Sequence, residues 1–391
     1  MKYKKLGDIC DIKSGGTPSR RKKEYWDNGN IPWVKIGDIK GKYIFNTSEF
    51  ITEEGLNKSS AKLFEKGTIL YTIFATLGEV AILDIDATTN QAIVGIYHTN
   101  EVDKNYLYYF LKSKKEYVND IGRGVAQNNI NLTILKDIDI YLPPILEQKE
   151  IAKILDKAQV LIDKRKEQIK ALDELVKSQF IEMFGDKDKY TYIKIEELVS
   201  NKSDIVDGPF GSNLKTVDYV DDGVRVIQIN NIGESSFRDK NKKYITEEKY
   251  KSLLKHSVVP GDIVVAKMGE PIGRACILPD YISKAVIVAD CMKIRPNLAI
   301  INRKYLEFLL NTEEVKTQFR KYSQGSTRVR LNLTMLRQVE VLYPPIELQN
   351  QFADFVNQVD KLKFEMEKSL KELEDNFNSL MQKAFKGELF N

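Results

Sequence analysis

The sequence predicts an α/β (α+β) protein: two globular domains and a pair of long antiparallel coiled-coil helices, arranged as a pseudo-two-fold internal repeat. Two observations predict it. From Ile151, alternating steps of four and three meet Ile151, Leu155, Ala158, Ile162, Arg165, Ile169, Leu172, Val176, Gln179 and Met183, eight of ten apolar. That 3.5-residue spacing keeps one stripe facing a partner helix. Adding 201 to each number gives Phe352, Val356, Val359, Lys363, Met366, Leu370, Leu373, Phe377, Leu380 and Ala384, nine of ten apolar. The same register at one offset indicates a duplication. The flanking text agrees: INLTILKDIDIYLPPILEQ at 130–148 matches LNLTMLRQVEVLYPPIELQ at 331–349, again with 332 − 131 = 201.

The expected parse is a first domain over 1–145, a helix over 146–186, a second domain over 187–346 and a second helix over 347–391. In the first domain, Ile31–Ile39, Tyr43–Ile51, ILYTIF, GEVAILDI, Asn90–Ile96 and Ile138–Leu142 read as strands, from β-branched and aromatic residues between turn signals. Asn105–Glu116 has helical spacing, with Asn105 as its cap. Pro143–Pro144 ends a strand and opens the long helix, where proline is tolerated. Gly185 and Gly387 are placed to terminate the two helices. The second domain repeats the plan: VRVIQINNI at 224–232 corresponds to IPWVKIGDI, and Tyr244–Glu248 to Phe50–Glu54. Each long helix needs a partner, and the simplest is the other copy. Antiparallel pairing puts one domain at each end of a rod, whereas the linker Asp186–Tyr190 is too short for parallel pairing. Leu155, Ile162, Leu172, Val176, Val356, Leu370, Leu373 and Phe377 are the expected core of this spacer. Arg165, Gln179 and Lys363 interrupt the stripe and would fix its register.

Composition narrows the class. With 42% hydrophobic residues the chain supports real cores. Its 60 basic and 56 acidic residues leave a net charge of +4, so any nucleic-acid surface must be local. Three scattered cysteines and two histidines offer neither a disulfide framework nor a zinc cluster. MKYKKLGDIC lacks an apolar stretch after its positive charges, and no apolar run reaches membrane-span length, so a soluble cytoplasmic protein with no membrane partner is expected.

Polar loops loosened by glycine are the candidate binding elements. Ser14–Gly15–Gly16–Thr17–Pro18 must be a loop, followed by Arg20, Arg21, Lys22 and Lys23. It reads either as a solvated loop or as a phosphate contact, with glycine-exposed amides beside cations. Ile121–Asn131 is a second such loop. Gly211–Lys215 and Gln324–Arg330 mix small residues, amides and cations in the second domain. Arginine to guanine and Asn or Gln to adenine are common base contacts. The candidate DNA contacts are Ser14, Gly15, Gly16, Thr17, Arg20, Arg21, Lys35, Arg123, Gln127 and Asn128 in the first domain. In the second they are Asn213, Lys215, Arg225, Gln228, Lys267, Ser326, Arg328 and Arg330.

Enzymatic fingerprints do not appear. Gly37…Gly41–Lys42 misses the phosphate-loop spacing, and no GxSxG, HExxH or paired CxxC occurs. Leu142–Pro143–Pro144 and Tyr343–Pro344–Pro345 lack the neighbours of a methyltransferase proline motif and sit at helix entries. No catalytic or metal-binding residue is therefore assigned. Two divergent domains held at a fixed distance suit a reader of two separated features on double-stranded DNA. The competing readings are a self-contained duplicated nuclease or methyltransferase, and a protein-binding scaffold.

SGGTPS at Ser14–Ser19, IPWV at Ile31–Val34 and NQAIVGI at Asn90–Ile96 carry a resemblance, joined by the two LPP/YPP…EQ/LQ entries. LDELVKSQFIEMFGD at Leu172–Asp186 and LMQKAFKGEL at Leu380–Leu389 extend it to essentially the full chain. In these features the sequence resembles the specificity (S) subunits of type I restriction–modification enzymes. The resemblance implies two target-recognition domains, each reading half of a split DNA site. It implies helices that act as ruler and docking surface for two modification (methyltransferase) subunits, with restriction/translocase subunits completing the complex. No cofactor is implied for this chain: S-adenosylmethionine, ATP and Mg belong to the partner subunits. In the second domain Asp207–Gly208–Pro209–Phe210–Gly211–Ser212 replaces SGGTPS, so contacts do not transfer between halves.

Overall fold

In the structure, a computed structural model, residues 3–122, 129–322 and 330–390 are described. The chain forms two compact units, Met1–Gln168 with Met366–Asn391, and Ile169–Glu365, so the division falls inside both long helices.

The first unit is built on a five-stranded sheet in the order Cys10–Ser14, Ile93–His98, Ile69–Thr72, Val80–Leu83, Tyr43–Ile44, antiparallel except for the last pairing. Ile69–Thr72 is buried throughout, and the period of two sends its neighbours to different cores. Ile69 and Tyr71 join the helix side, with Tyr106, Phe110, Leu155 and Phe377. Leu70 joins Val34, Ile44, Phe64 and Leu83 on the other side. A smaller sheet, Glu49–Ile51, Ile31–Val34 and Thr88–Thr89, flanks this second core. Tyr3–Lys5 pairs with Asp139–Tyr141 and closes the unit.

The second unit repeats this order. Ile205–Asp207, Cys291–Ile294, Ile263–Ala266 and Ala275–Ile277 form a four-stranded antiparallel sheet. Val224–Ile227 pairs in parallel with Ala285–Ile287, as Ile31–Val34 does with Thr88–Thr89. Thr191–Lys194 and Glu340–Tyr343 supply the closing pair. Ile263 and Val265 face the helices, while Val264 and Ala266 face the opposite core.

The long helices span Ile145–Phe184 and Ile346–Lys386. Every residue of both stripes is buried or half-buried, including Arg165, Gln179 and Lys363. In the second unit Phe184 meets Phe352, with ring centroids 5.9 Å apart, and Asp173 pairs with Lys363. One number falls as the other rises, so the helices run antiparallel there. In the first unit Lys166 pairs with Glu374, and Ile151 and Leu155 share a core with Phe377, Met381 and Ala384. Of the expected spacer core, Leu155, Ile162, Leu172, Val356 and Phe377 are buried, and Val176, Leu370 and Leu373 are half-buried against the same clusters.

Several local expectations need correction. The helix expected over Asn105–Glu116 is two, Lys104–Ser113 and Lys115–Gly122. Its cap is Asp103, whose carboxylate accepts from the amides of Asn105 and Tyr106. The strand expected over Ile31–Ile39 stops at Val34, because Asp38 turns back to accept from the Lys35 amide at 2.9 Å. Tyr43–Ile51 is two short strands. The first long helix starts at Ile145, directly after the proline pair. Gly387 takes a left-handed φ of 75° after the second long helix. Gly185 is not among the left-handed glycines; its amide donates to the Ile181 carbonyl at 2.7 Å and continues the turn.

Candidate nucleic-acid interface

In each unit the same backbone hydrogen bonds gather loops at one end of the central sheet. In the first unit Gly15 N–H donates to Ile93 O at 3.1 Å, and Gly16 N–H to Thr89 O at 2.9 Å. Ile73 N–H donates to Ala92 O at 2.9 Å, and Ile130 N–H to Ile73 O at 3.1 Å. In the second unit Gly208 N–H donates to Cys291 O at 3.0 Å, Lys267 N–H to Asp290 O at 2.9 Å, and Leu331 N–H to Lys267 O at 2.8 Å. The loop after the first sheet strand therefore meets the turn before the strand at 93–98 or 291–294. The segment leading to Ile130 or Leu331 joins them.

The glycines have a packing reason. A Cβ on Gly15 would lie 1.9 Å from Thr89 Oγ1, and one on Gly208 would lie 1.9 Å from Val288 O. Gly15 and Gly16 are buried and their amides are consumed inside the fold. The expectation that they offer amides to a phosphate is corrected: these glycines let the loop lie flat on the 89–91 turn.

What the first loop presents is a cation cluster. The Arg20 guanidinium stacks on Trp26, 3.5 Å from the ring centroid, and lies 4.8 Å from that of Trp33. Its Nη1 is 2.6 Å from a Glu49 carboxylate oxygen, and Lys35 Nζ is 2.8 Å from the other. Hydrogen bonds from Lys35 and Arg20 hold the Glu49 carboxyl below the usual glutamate range. Trp26 and Trp33 each donate an indole N–H to the loop, to Ser19 O and Gly16 O, both at 3.2 Å. Thr17 hydrogen-bonds Gln91, Ser14 is half-buried at the strand end, and Arg21 is exposed.

The second unit presents different groups. Phe210 is 79% exposed at the tip of the 208–213 loop, closed by the Asn213 N–H on Phe210 O at 2.8 Å. Asn213 and Lys215 follow on the exposed side. Arg330 binds Asp290 at 2.9 Å on the adjoining turn. Lys267 is buried under the loop, 3.1 Å from Asp207. Arg225 is buried in its strand, 3.2 Å from Asp239 and 5.7 Å from the Tyr244 ring centroid. Gln228 is half-buried at a turn, its amide donating to Asn231 at 2.9 Å.

This duplicated arrangement coincides with the comparisons to known proteins. The family model described as type I restriction modification DNA specificity domain matches residues 1–172 and 184–375. The chain belongs to that family. Among curated relatives, the type I restriction enzyme MjaVIII specificity subunit of Methanocaldococcus jannaschii is 25% identical over 386 residues, covering 92% of this chain and 89% of the relative. The MjaIX specificity subunit of the same organism is 36% identical over 203 residues, covering 51% of this chain and 46% of the relative. In that match the chain spans about half the relative's length. Among solved structures, the S subunit from M. genitalium aligns over 98% of this chain and 96% of its own, at 17% identity and a TM-score of 0.56. At that identity the likeness concerns the fold.

Within the specificity-domain fold the predicted contacts separate into groups. Arg20 and Lys35 meet at Glu49 in the first unit, Arg21 is exposed beside Arg20, Ser14 and Thr17 are half-buried, and Gly15 and Gly16 are buried under the loop. Asn213, Lys215 and Arg330 lie on the equivalent loops of the second. Arg225 and Lys267 are instead buried, and each is tied to a carboxylate, Asp239 and Asp207, whose charge it neutralises. Arg123, Gln127, Asn128, Ser326 and Arg328 lie outside the described residues. Sequence reasoning missed Glu49, the carboxylate that organises the first cluster. Its signal was present: Glu49 precedes FITEE where Lys243 precedes YITEE, a charge reversal in an otherwise matching stretch. Among the described residues no helix is long and apolar enough to cross a membrane.

Proposed function

We propose that this chain is the DNA-specificity subunit of a type I restriction–modification complex, working in the cytoplasm on a two-part site. Each unit reads one half. The chain itself performs no catalysis. It positions two adenine methyltransferase subunits, which supply S-adenosylmethionine chemistry, and a restriction subunit that uses ATP and Mg. The observation that supports this reading best is the repeated loop cluster: one backbone scaffold built twice, carrying different side chains. Matching loop scaffolds allow both units to approach DNA in the same way, and unlike side chains give each a different half-sequence. The long helices set the gap between the halves, and their outer faces receive the methyltransferase subunits.

Sequencing of methylated bases in DNA exposed to the reconstituted complex tests this. The expected product is an asymmetric motif of two short specified blocks separated by an unspecified gap, with a methylated adenine in each. A single contiguous motif sinks the two-part reading. Methylation or cleavage by the chain alone sinks the assignment of catalysis to partners.

A further inference from the structure

We propose that Glu49 is a positioning residue that, with Trp26 and Trp33, sets Arg20 and Lys35 as a two-cation clamp on one DNA phosphate in the half-site read by the first unit. The inference rests on the DNA-reading function proposed above.

Glu49 stands between the two cations, with one oxygen on Arg20 at 2.6 Å and the other on Lys35 at 2.8 Å. Trp26 covers one face of the guanidinium, and both tryptophans are pinned to the loop through their indole N–H groups. Arg20 is thus held at its face and at one edge, yet 52% of its side chain stays exposed, as does 41% of that of Lys35. A carboxylate alone would repel a nucleic acid. Here two cations flank it, leaving one net positive charge and free N–H donors around a shared point. Holding flexible cations before binding removes much of the ordering cost. Guanine recognition needs two parallel N–H groups from one free guanidinium edge. Glu49 engages Arg20 Nη1 and so takes up the Nη1–Nη2 edge, leaving the Nε–Nη2 edge, while Lys35 adds a second cation from a different side chain on the same carboxylate. That arrangement suits an oxyanion.

Among the described residues, the second unit does not repeat this device. Strand register pairs Trp33 with Glu49 but Val226 with Lys243 at the corresponding place. Its Arg225 pairs with Tyr244, one residue out of step, and therefore faces the other side of the strand pair. The effect is confined to the first half-site.

The test uses the full chain and a duplex carrying the motif that the chain selects from random-sequence DNA. Single phosphates are replaced in turn by neutral methylphosphonates. Wild type is expected to show one phosphate in the first half-site whose neutralisation weakens binding about tenfold, as expected for a lost charge contact. That same substitution should cost nothing further in R20Q or K35Q, and each variant should lower the slope of log K against log salt by about 0.9. E49Q should weaken binding, with the selected motif unchanged. The clamp is overturned if E49Q binds more tightly, if R20Q alters a selected base, or if no first-half phosphate couples to Arg20. A wild-type scan that finds no sensitive phosphate in the first half-site overturns the clamp even where a variant folds poorly. A wild-type chain that selects no motif defeats the DNA-reading function and the clamp together; one that selects a motif without coupling defeats the clamp alone.

Discussion

At the scale of single residues, position in the fold decides what a polar or reactive group can do. Arg225 and Arg20 are both arginines near a carboxylate and an aromatic ring. One is buried in a strand and neutralises Asp239; the other lies half-exposed on a stacked surface. Residue type cannot separate them, because the difference lies in placement: Arg225 sits within a buried strand, and Arg20 in the turn that packs on Trp26 and Trp33. The cysteines follow the same rule. Burial pushes the Cys10 and Cys291 thiols up to about 12, and moves Cys276 in the same direction. Thiolate is the reactive form, so a disulfide reagent at pH 8 should label none of the three in the folded chain and all three in guanidinium. Rapid labelling of the native protein would show that one of these sites opens to solvent.

At the scale of elements, the repeated glutamines of the helix entries have a physical role. Gln148 is 1% exposed; its amide donates to Glu101 O at 3.0 Å and Pro143 O at 2.8 Å, and its carbonyl accepts from Asp103 N–H at 2.8 Å. Gln349 makes the same set with Ile300 O, Pro344 O and Asn302 N–H. Each glutamine ties the cap of a domain helix to the start of a long helix. Q148A or Q349A removes three hydrogen bonds to backbone groups, each worth about 0.5–1.5 kcal/mol. A loss of at least about 2 kcal/mol in denaturant unfolding is expected for either variant, and an unchanged midpoint would refute the tie. The EQ/LQ repeat was legible in the sequence. Its meaning was not, since the partners lie about fifty residues away in the chain.

At the scale of the molecule, the proposed two-part reading makes the helix pair a testable spacer. Seven residues inserted between Gln168 and Ile169, together with seven between Glu365 and Met366, preserve the stripe in both helices. They add about 10 Å at roughly 1.5 Å per residue, or about three base pairs at roughly 3.4 Å each. Methylation sequencing should report a gap longer by about three base pairs with both half-sequences intact. An unchanged gap would remove the helices from the setting of half-site distance. Insertion into one helix alone should lower the thermal midpoint, because it slides one stripe past the other.

The sequence by itself determined the duplication, the two long helices and their buried stripes, and the order of the main strands. Those features rest on local periodicity and on text repeated at a fixed offset, which the chain carries without reference to its fold. Proline pairs and cap residues marked the helix starts for the same reason, with errors of a few residues where a side chain captured the backbone first, as Asp103 did at a helix start and Asp38 at a strand end. Only the tertiary structure decided which polar residues face outward. It showed Gly15 and Gly208 serving close backbone approach, drew Lys267 and Arg225 inside, and brought Glu49 between Arg20 and Lys35. Such choices depend on strand register and on contacts between residues far apart in sequence. A one-residue shift in register moves a side chain to the opposite face, so residue type alone could not have made them.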